Sequence, residues 1–270
     1  MADRYAVIGN PVAHTLSPRI HAAFAQQTAE DIEYGMILGS LGGFVRAVEG
    51  FRAEGGRGLN VTVPFKLEAF AFSTQLTDRA QSAGAVNTLK FENGAALGDN
   101  TDGAGLVADI GRLGIVIGGK RILLMGAGGA ARGVVLPLLE REPALIAIAN
   151  RTVAKAVALA GHWVWRGTVR GGSYADFSGE RFDVIINATS ASLHGDVPPL
   201  SDQTFASATL AYDMVYGAQP TPFLAAAKAR GVPHLADGLG MLIEQAAESF
   251  FLWRGVRPHT APVITMLRKQ

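Results

Sequence analysis

Arg121-Ile-Leu-Leu-Met-Gly-Ala-Gly-Gly-Ala-Ala-Arg132 joins a continuous apolar run to a glycine-dense turn. Ile122 to Met125 reads as a buried strand. Gly126, Gly128 and Ala131 then fall where a dinucleotide-binding turn needs small residues, with Gly129 as one more. Small residues admit a pyrophosphate to backbone N–H groups at the positive end of a helix. Gly126, Ala127, Gly128, Gly129 and Ala130 are therefore candidate phosphate contacts. A second apolar run, Leu145 to Ala149, ends at Asn150-Arg151-Thr152. A site for NAD would carry an acid here to bind the ribose hydroxyls. Arginine instead offers a planar fork for a 2′-phosphate. The pattern predicts NADP binding. Lys155, on the first turn of the next predicted helix, reads equally well as a cofactor contact or as a solvated lysine.

Five other segments hold polar groups that a purely structural loop or helix would not need. In Asn10-Pro-Val-Ala-His-Thr-Leu-Ser17, Thr15 and Ser17 place two hydroxyls beside a helix start, a cradle for a carboxylate. The plainer reading makes Ser17 an N-cap before Pro18. Lys66 follows directly on Asn60-Val-Thr-Val-Pro-Phe65, and an isolated lysine is more often a surface residue. Asp102, in Gly98-Asp-Asn-Thr-Asp-Gly103, reads alone as the cap of the next helix. Asn87 reads alone as a strand-edge amide, and Gln245 as a solvated position on a helix built on Leu242, Ile243, Phe250 and Phe251. His14, His21, His162, His194, His234 and His259 show no His-x-x-x-His or His-Glu pairing, so no metal site is predicted.

The elements that must position these residues alternate between strand and helix. Tyr5 to Ile8, Ile32 to Leu38 and Gly58 to Val63 read as strands, with a helix through Phe44 and Val48 between the last two. Val86 to Phe91 and Ala95 to Leu97 flank Asn93-Gly94, a strong hairpin signal. A helix over 102–113 leads into strands near 122–125, 145–149, 163–169, 183–187, 209–212 and 233–236. That alternation predicts an α/β fold with a doubly wound parallel sheet. Helices over 239–253 and from about 260 have no strand left to serve, so they are expected to return to the first domain. The expected division is 1–102 completed by 238–270, and 103–237.

Composition narrows the class. The 270 residues are enough for two domains with sizeable cores. A net charge of +1 gives no basic field for nucleic acid or an anionic membrane. Charged residues make up 17% and hydrophobic residues 49%, against roughly 25% charged in typical soluble domains, so extensive buried surface is expected. Cysteine is absent, which excludes disulfides, thiolate catalysis and cysteine-ligated zinc. The opening Met-Ala-Asp-Arg-Tyr lacks the apolar core of a signal peptide, and the apolar stretch 122–139 contains Arg132 and several glycines. A soluble, cytoplasmic chain is expected.

Taken together, the polar segments form a set. Residues 7–18, 60–66, 84–89, 98–103, 126–132, 150–152, 187–190 (Asn-Ala-Thr-Ser), 212–216 (Tyr-Asp-Met-Val-Tyr) and 237–242 (Asp-Gly-Leu-Gly-Met-Leu) occur in one order along nearly the whole chain. In this the chain resembles the shikimate dehydrogenase family. The resemblance implies an α/β substrate domain and a Rossmann-type NADP domain with the catalytic cleft between them. It implies reversible reduction of 3-dehydroshikimate to shikimate by NADPH, on the route through chorismate to the aromatic amino acids. Lys66 and Asp102 would be the catalytic pair. Thr15, Ser17, Thr62, Asn87, Tyr216 and Gln245 would line the substrate pocket. Asp78, the glycine turn, Asn150, Arg151, Thr152, Lys155, Thr189, Ser190, Met214 and Gly238 would contact NADP(H). The expected assembly is a monomer or homodimer, with no partner beyond the small-molecule ligands.

The implied chemistry suits these residue types. Hydride arriving at a ketone carbon leaves negative charge on oxygen, which a nearby ammonium stabilises and protonates. Hydroxyl and amide groups suit a small, highly oxygenated acid. Three positions depart from the family pattern: Thr15 stands where serine is usual, Lys155 where arginine is frequent, and Ser192 near a common glycine. Thr15 keeps open an alternative, a quinate/shikimate dehydrogenase of broader specificity. An alternative of another class, a non-catalytic NADP-binding sensor, would show damage at Lys66 or Asp102, and both are present.

Overall fold

The computed structural model describes residues 2–269, which divide into two compact units, 2–105 with 242–269, and Leu106–Met241. The first unit runs β1 (Asp3–Gly9), α1 (Ser17–Thr28), β2 (Ile32–Leu38), α2 (Phe44–Ala53), β3 (Gly56–Val61), α3 (Lys66–Phe72), β4 (Gln75–Leu76), α4 (Asp78–Ala83), β5 (Thr88–Glu92), β6 (Ala95–Asp99) and the start of α5 (Asp102–Arg112). Its six-stranded sheet has the order β2-β1-β3-β5-β6-β4. Strands β1, β2 and β3 run parallel, whereas β5 pairs antiparallel with β3 and β6. The β5–β6 hairpin turns at Asn93 and Gly94, both with positive φ (50° and 79°), the geometry an Asn-Gly turn favours. Strand β3 stops two residues before the Val63 expected from the apolar pattern. Pro64 has no N–H to continue the ladder, and the Phe65 amide turns back onto the Thr62 carbonyl at 3.0 Å. That turn delivers Lys66 to the start of α3.

The second unit runs β7 (Arg121–Met125), α6 (Gly129–Leu139), β8 (Leu145–Ala149), α7 (Val153–Gly161), β9 (Val169–Gly172), β10 (Val184–Asn187), α8 (Asp202–Phe205), β11 (Leu210–Asp213), α9 (Pro222–Ala229) and β12 (His234–Ala236). Its sheet is parallel throughout, in the order β12-β11-β10-β7-β8-β9. This is the doubly wound order, with the chain reversing direction across the sheet beside β7. Both faces are covered, which is why the strands read as unbroken apolar runs. Ile122, Leu124, Ile146, Ile148, Val184 and Ile186 enter one core, and Leu123, Met125, Ala147, Ala149 and Ile185 enter the other.

One expected strand is misplaced. Residues 163–168 form turns rather than a strand, and β9 begins at Val169. Trp163 is buried while Val164 and Trp165 are both exposed, so the alternation a half-buried strand requires is missing. The true strand contains Gly171, where a Cβ would run into the backbone of Ala156 on α7. Glycine is there for helix–strand contact, not to end a strand.

The chain closes with α10 (Leu239–Arg254) and α11 (Ala261–Arg268). The unit boundaries fall inside α5 and α10. Each helix is continuous, so it contributes turns to both units. Among the described residues no helix is long and apolar enough to cross a membrane.

Candidate active site

The first unit builds a charged pair on a fixed amide. Lys66 Nζ lies 2.5 Å from Asp102 Oδ2, and both side chains keep some access to solvent (31% and 16%). Asp102 Oδ1 accepts from Asn87 Nδ2 at 2.8 Å. The orientation of that amide is forced. Asn87 Oδ1 accepts from the Thr101 backbone N–H at 2.9 Å, and a backbone N–H can only donate. The NH₂ group must therefore face the carboxylate. Gln245 Oε1 completes the cluster, 3.3 Å from Asn87 Nδ2 and 3.2 Å from Thr101 Oγ1. Asp102 neutralises one lysine N–H, which leaves the ammonium two more donors for an incoming oxygen.

Asp102 does not spend its side chain on a helix cap: its own N–H donates to Asn100 Oδ1 at 3.2 Å, and its carboxylate serves Lys66 and Asn87. Ser17 is the first residue of α1, not its cap; Leu16 occupies that position without a side-chain bond. Thr15 Oγ1 donates to Ser17 Oγ at 3.0 Å and accepts from the Ser17 N–H at 3.2 Å. The two hydroxyls thus form one unit. Asn87 is buried in this cluster rather than a plain strand-edge amide, and Gln245 bonds into it instead of standing solvated. Thr62 sits at the turn before Lys66, where Gly9 leaves room for its methyl group.

Behind the pair lies a buried polar core that the sequence did not reveal. Asn60 Oδ1 accepts from the Tyr34 hydroxyl at 2.7 Å and from His21 Nε2 at 3.2 Å. Its Nδ2 donates to Thr88 Oγ1 at 3.2 Å and Ser249 Oγ at 3.0 Å. Thr88 Oγ1 then donates to Asn87 Oδ1 at 2.9 Å. All four capacities of Asn60 are used, and the chain of bonds ends on the amide that orients Asp102. The only signal in the sequence is an asparagine interrupting an apolar strand.

His21 is fully buried, stacked on Tyr34 with ring centroids 4.2 Å apart, and its Nδ1 has no hydrogen-bond partner among the described residues. Burial pushes the imidazole down from 6.5 to about 3, against a smaller opposing pull from Asn60. The folded chain thus holds His21 neutral where the unfolded chain would protonate it. Its contribution to stability is complete above about 6.5 and is lost as pH falls toward about 3. Urea titrations of the wild type are expected to show unfolding free energy falling in this window, by at most about 1.4 kcal/mol per pH unit from this group. His21→Phe should flatten that slope; identical slopes would refute the assignment.

The second unit presents an uncapped helix N-terminus near two exposed cations. Gly126 has φ +107°, and a Cβ there would sit 3.1 Å from the Ala188 carbonyl oxygen. Gly128 precedes α6 without any side-chain cap, so the first N–H groups of the helix stay free. A Cβ on Gly128 or Gly129 would meet nothing within 4 Å, so the backbone is open to a ligand. Arg151 and Lys155 are exposed, and neither has an acidic partner among the described residues. Asn150 Nδ2 donates to the Thr152 carbonyl at 2.9 Å, holding the turn that carries Arg151. Gly238 packs against the Met214 carbonyl, where any Cβ would collide. These groups fit a phosphorylated dinucleotide: open N–H donors for the pyrophosphate and free cations one strand away. Among the described residues no group of three or more His, Cys, Asp or Glu could hold a metal.

Residues 7–89 match the shikimate dehydrogenase substrate binding domain, residues 112–195 the shikimate / quinate 5-dehydrogenase family, and residues 238–265 the shikimate 5′-dehydrogenase C-terminal domain. The chain is 60% identical to the shikimate dehydrogenase (NADP(+)) of Nitrosospira multiformis over 99% of its own length and 98% of that protein's. The chain belongs to the shikimate dehydrogenase family. Its fold also matches the crystal structure of an Ael1 enzyme from Pseudomonas putida, with a TM-score of 0.96 and 50% identity over 98% of both chains. The Thermus thermophilus shikimate 5-dehydrogenase, solved with NADP(H) and shikimate, gives a TM-score of 0.88 and 33% identity over 99% of both.

Within this shikimate dehydrogenase family member, the candidate residues fall into two groups. Thr15, Ser17, Thr62, Lys66, Asp78, Asn87, Asp102 and Gln245 belong to the first unit. The glycine turn, Asn150 to Lys155, Thr189, Ser190, Met214, Tyr216 and Gly238 belong to the second. Lys66, Asn87, Asp102 and Gln245 are joined by direct bonds. Asp78 is exposed at the start of α4, where Thr77 is the cap. Tyr216 is 39% exposed on the segment after β11.

Proposed function

We propose that the chain is an NADP-dependent shikimate dehydrogenase that reduces 3-dehydroshikimate to shikimate and runs the reverse oxidation. The observation that carries this reading is the Lys66–Asp102 pair held by an amide that cannot flip, in a chain of this family. NADPH, when bound, supplies the hydride to the ketone carbon. Lys66 stabilises the oxygen that gains charge and delivers its proton there. Asp102 holds the ammonium in place and offers its carboxylate to a substrate hydroxyl. The paired hydroxyls of Thr15 and Ser17 bind the substrate carboxylate, while Thr62, Asn87, Gln245 and Tyr216 take the ring hydroxyls and carbonyl.

On the cofactor side, residues 126–130 receive the pyrophosphate, and Arg151 and Lys155 take the 2′-phosphate, flanked by Asn150 and Thr152. Thr189, Ser190, Met214, Gly238 and Asp78 complete the NADPH contacts. The substrate domain is assigned to 1–102 with 238–270, and the NADP domain to 103–237. We place the enzyme in the cytoplasm, as a monomer or homodimer.

A second reading keeps quinate as a co-substrate, because Thr15 adds a methyl group at the carboxylate end. Initial rates with shikimate and quinate, each with NADP⁺ and NAD⁺, decide between them. The main reading expects turnover confined to shikimate with NADP⁺, and comparable quinate turnover would favour the broader enzyme. No turnover with any pair, despite NADPH binding, would favour a sensor.

A further inference from the structure

Asp213, at the end of β11, is a fully buried carboxylate that no step above uses. Its four hydrogen bonds all come from neutral donors. Oδ1 accepts from Asn187 Nδ2 at 3.2 Å and from the Val215 N–H at 3.1 Å. Oδ2 accepts from Ser192 Oγ at 2.6 Å and Thr221 Oγ1 at 2.7 Å. A buried charge without a cation is costly unless every lone pair is filled. Here each is filled, and the donors come from three different segments: the end of β10, the turn after it, and the loop between β11 and α9.

Those segments carry candidate ligand residues. Asn187, paired with Asp213 across the sheet, uses its Oδ1 to accept from the Thr189 N–H and hydroxyl at 3.1 and 2.6 Å. Ser190 lies between Thr189 and the tethered Ser192, and Met214 and Tyr216 flank the tethered Val215 amide. The Met214 amide in turn donates to the Asn187 carbonyl at 2.9 Å. Ligands of a doubly wound sheet lie across the carboxyl ends of its strands. With Arg151 at the end of β8, on one side of the glycine turn, the 2′-phosphate half lies over β8. The nicotinamide half then runs the other way, over β10 and β11.

We propose that Asp213 is the positioning residue for the nicotinamide half of NADPH, fixing the Thr189–Ser192 turn and the Met214–Thr221 loop as one wall. The inference rests on the NADPH reading of the second unit. Asn187 Nδ2 and the Val215 N–H can only donate, so Asp213→Asn must keep its oxygen toward them. Its NH₂ then faces Ser192 and Thr221, whose hydroxyl protons lose their acceptor. The wall loosens on the Ser192 side.

The test measures dissociation constants of the full chain for NADPH and for adenosine 2′,5′-bisphosphate, which lacks the nicotinamide half, by calorimetry. For Asp213→Asn, NADPH is expected to bind about tenfold more weakly, while the bisphosphate stays within about twofold. Ser192→Ala, which removes one donor to Asp213 and one acceptor of Asn187 Nδ2, should repeat the split at a few-fold and decides the matter if Asp213→Asn does not fold. Ser192→Thr, which keeps the hydroxyl, should restore NADPH binding. Unchanged NADPH affinity in both variants, or equal losses for the two ligands, would overturn the proposal. A wild-type chain that binds neither ligand would instead overturn the NADPH reading itself.

Discussion

Lys66→Ala is expected to lower kcat by at least about a hundredfold, a loss of about 2.7 kcal/mol of transition-state stabilisation, with NADPH affinity little changed. The size follows from what the lysine does at the reacting oxygen. In the proposed mechanism it supplies both the charge that meets the developing alkoxide and the proton that ends it, and alanine removes both. NADPH affinity should hold because Lys66 is bonded to Asp102 in the first unit, while the glycine turn and Arg151 belong to the second. Asp102 will keep its bond from Asn87, so the carboxylate stays oriented but loses its cation. Lys66→Arg separates the two contributions. A guanidinium preserves the ion pair, yet it does not give up its proton near neutral pH. If proton delivery dominates, the arginine variant should be nearly as slow as the alanine variant. If charge alone matters, it should recover most of the rate. Steady-state kinetics with shikimate and NADP⁺, alongside NADPH titration, check both. An alanine variant with wild-type kcat would remove Lys66 from the chemistry.

The nucleotide half of the fold was legible because buried parallel strands write themselves as apolar runs. Ile122 to Met125 and Leu145 to Ala149 alternate between two cores, so every residue is apolar and the run has no polar gap. β9 broke that rule. Its Gly171 and Gly172 look like a turn, but the approach of Ala156 from α7 requires the first and the Asp176 side chain crowds the second. The candidate residues stand in motifs, but nothing in those motifs shows their partners. Asn60 and Ser249 are 189 positions apart, and nothing local in either neighbourhood announces the bond. His21 sits on a helix whose exposed and buried faces the sequence separates poorly, so its burial came from packing against Tyr34, Phe24, Phe250 and Trp253. The plainer cap readings of Asp102 and Ser17 fail for one shared reason. A polar residue at a helix start has a ready local use as a cap, and local rules cannot see a long-range partner that outbids it.

Arg151→Ala is expected to weaken NADPH binding by about tenfold to a hundredfold while leaving NADH within about twofold. The range corresponds to one charge-assisted hydrogen-bonding group lost to a phosphate, about 1.5–3 kcal/mol. Arg151 has no acidic partner among the described residues, so its removal breaks no ion pair that the fold depends on. The turn it stands on is held by backbone and amide groups instead, the Asn150 N–H to the Gly172 carbonyl and Asn150 Nδ2 to the Thr152 carbonyl. A fall in affinity can therefore be read as lost recognition. Specificity is a difference between two affinities, so NADH is the necessary control. Lys155 lies one helical turn on, where it can compensate in part, and the Arg151→Ala/Lys155→Ala double variant should lose more NADPH affinity than either single one. Direct titration of the apoprotein with each nucleotide, repeated at higher salt, measures the effect. Salt should erode NADPH binding in the wild type more than in the variants, since the screened attraction is the one they lack. Equal losses for NADPH and NADH would mean that Arg151 serves the shared adenosine half, and the cofactor preference would then have to come from elsewhere.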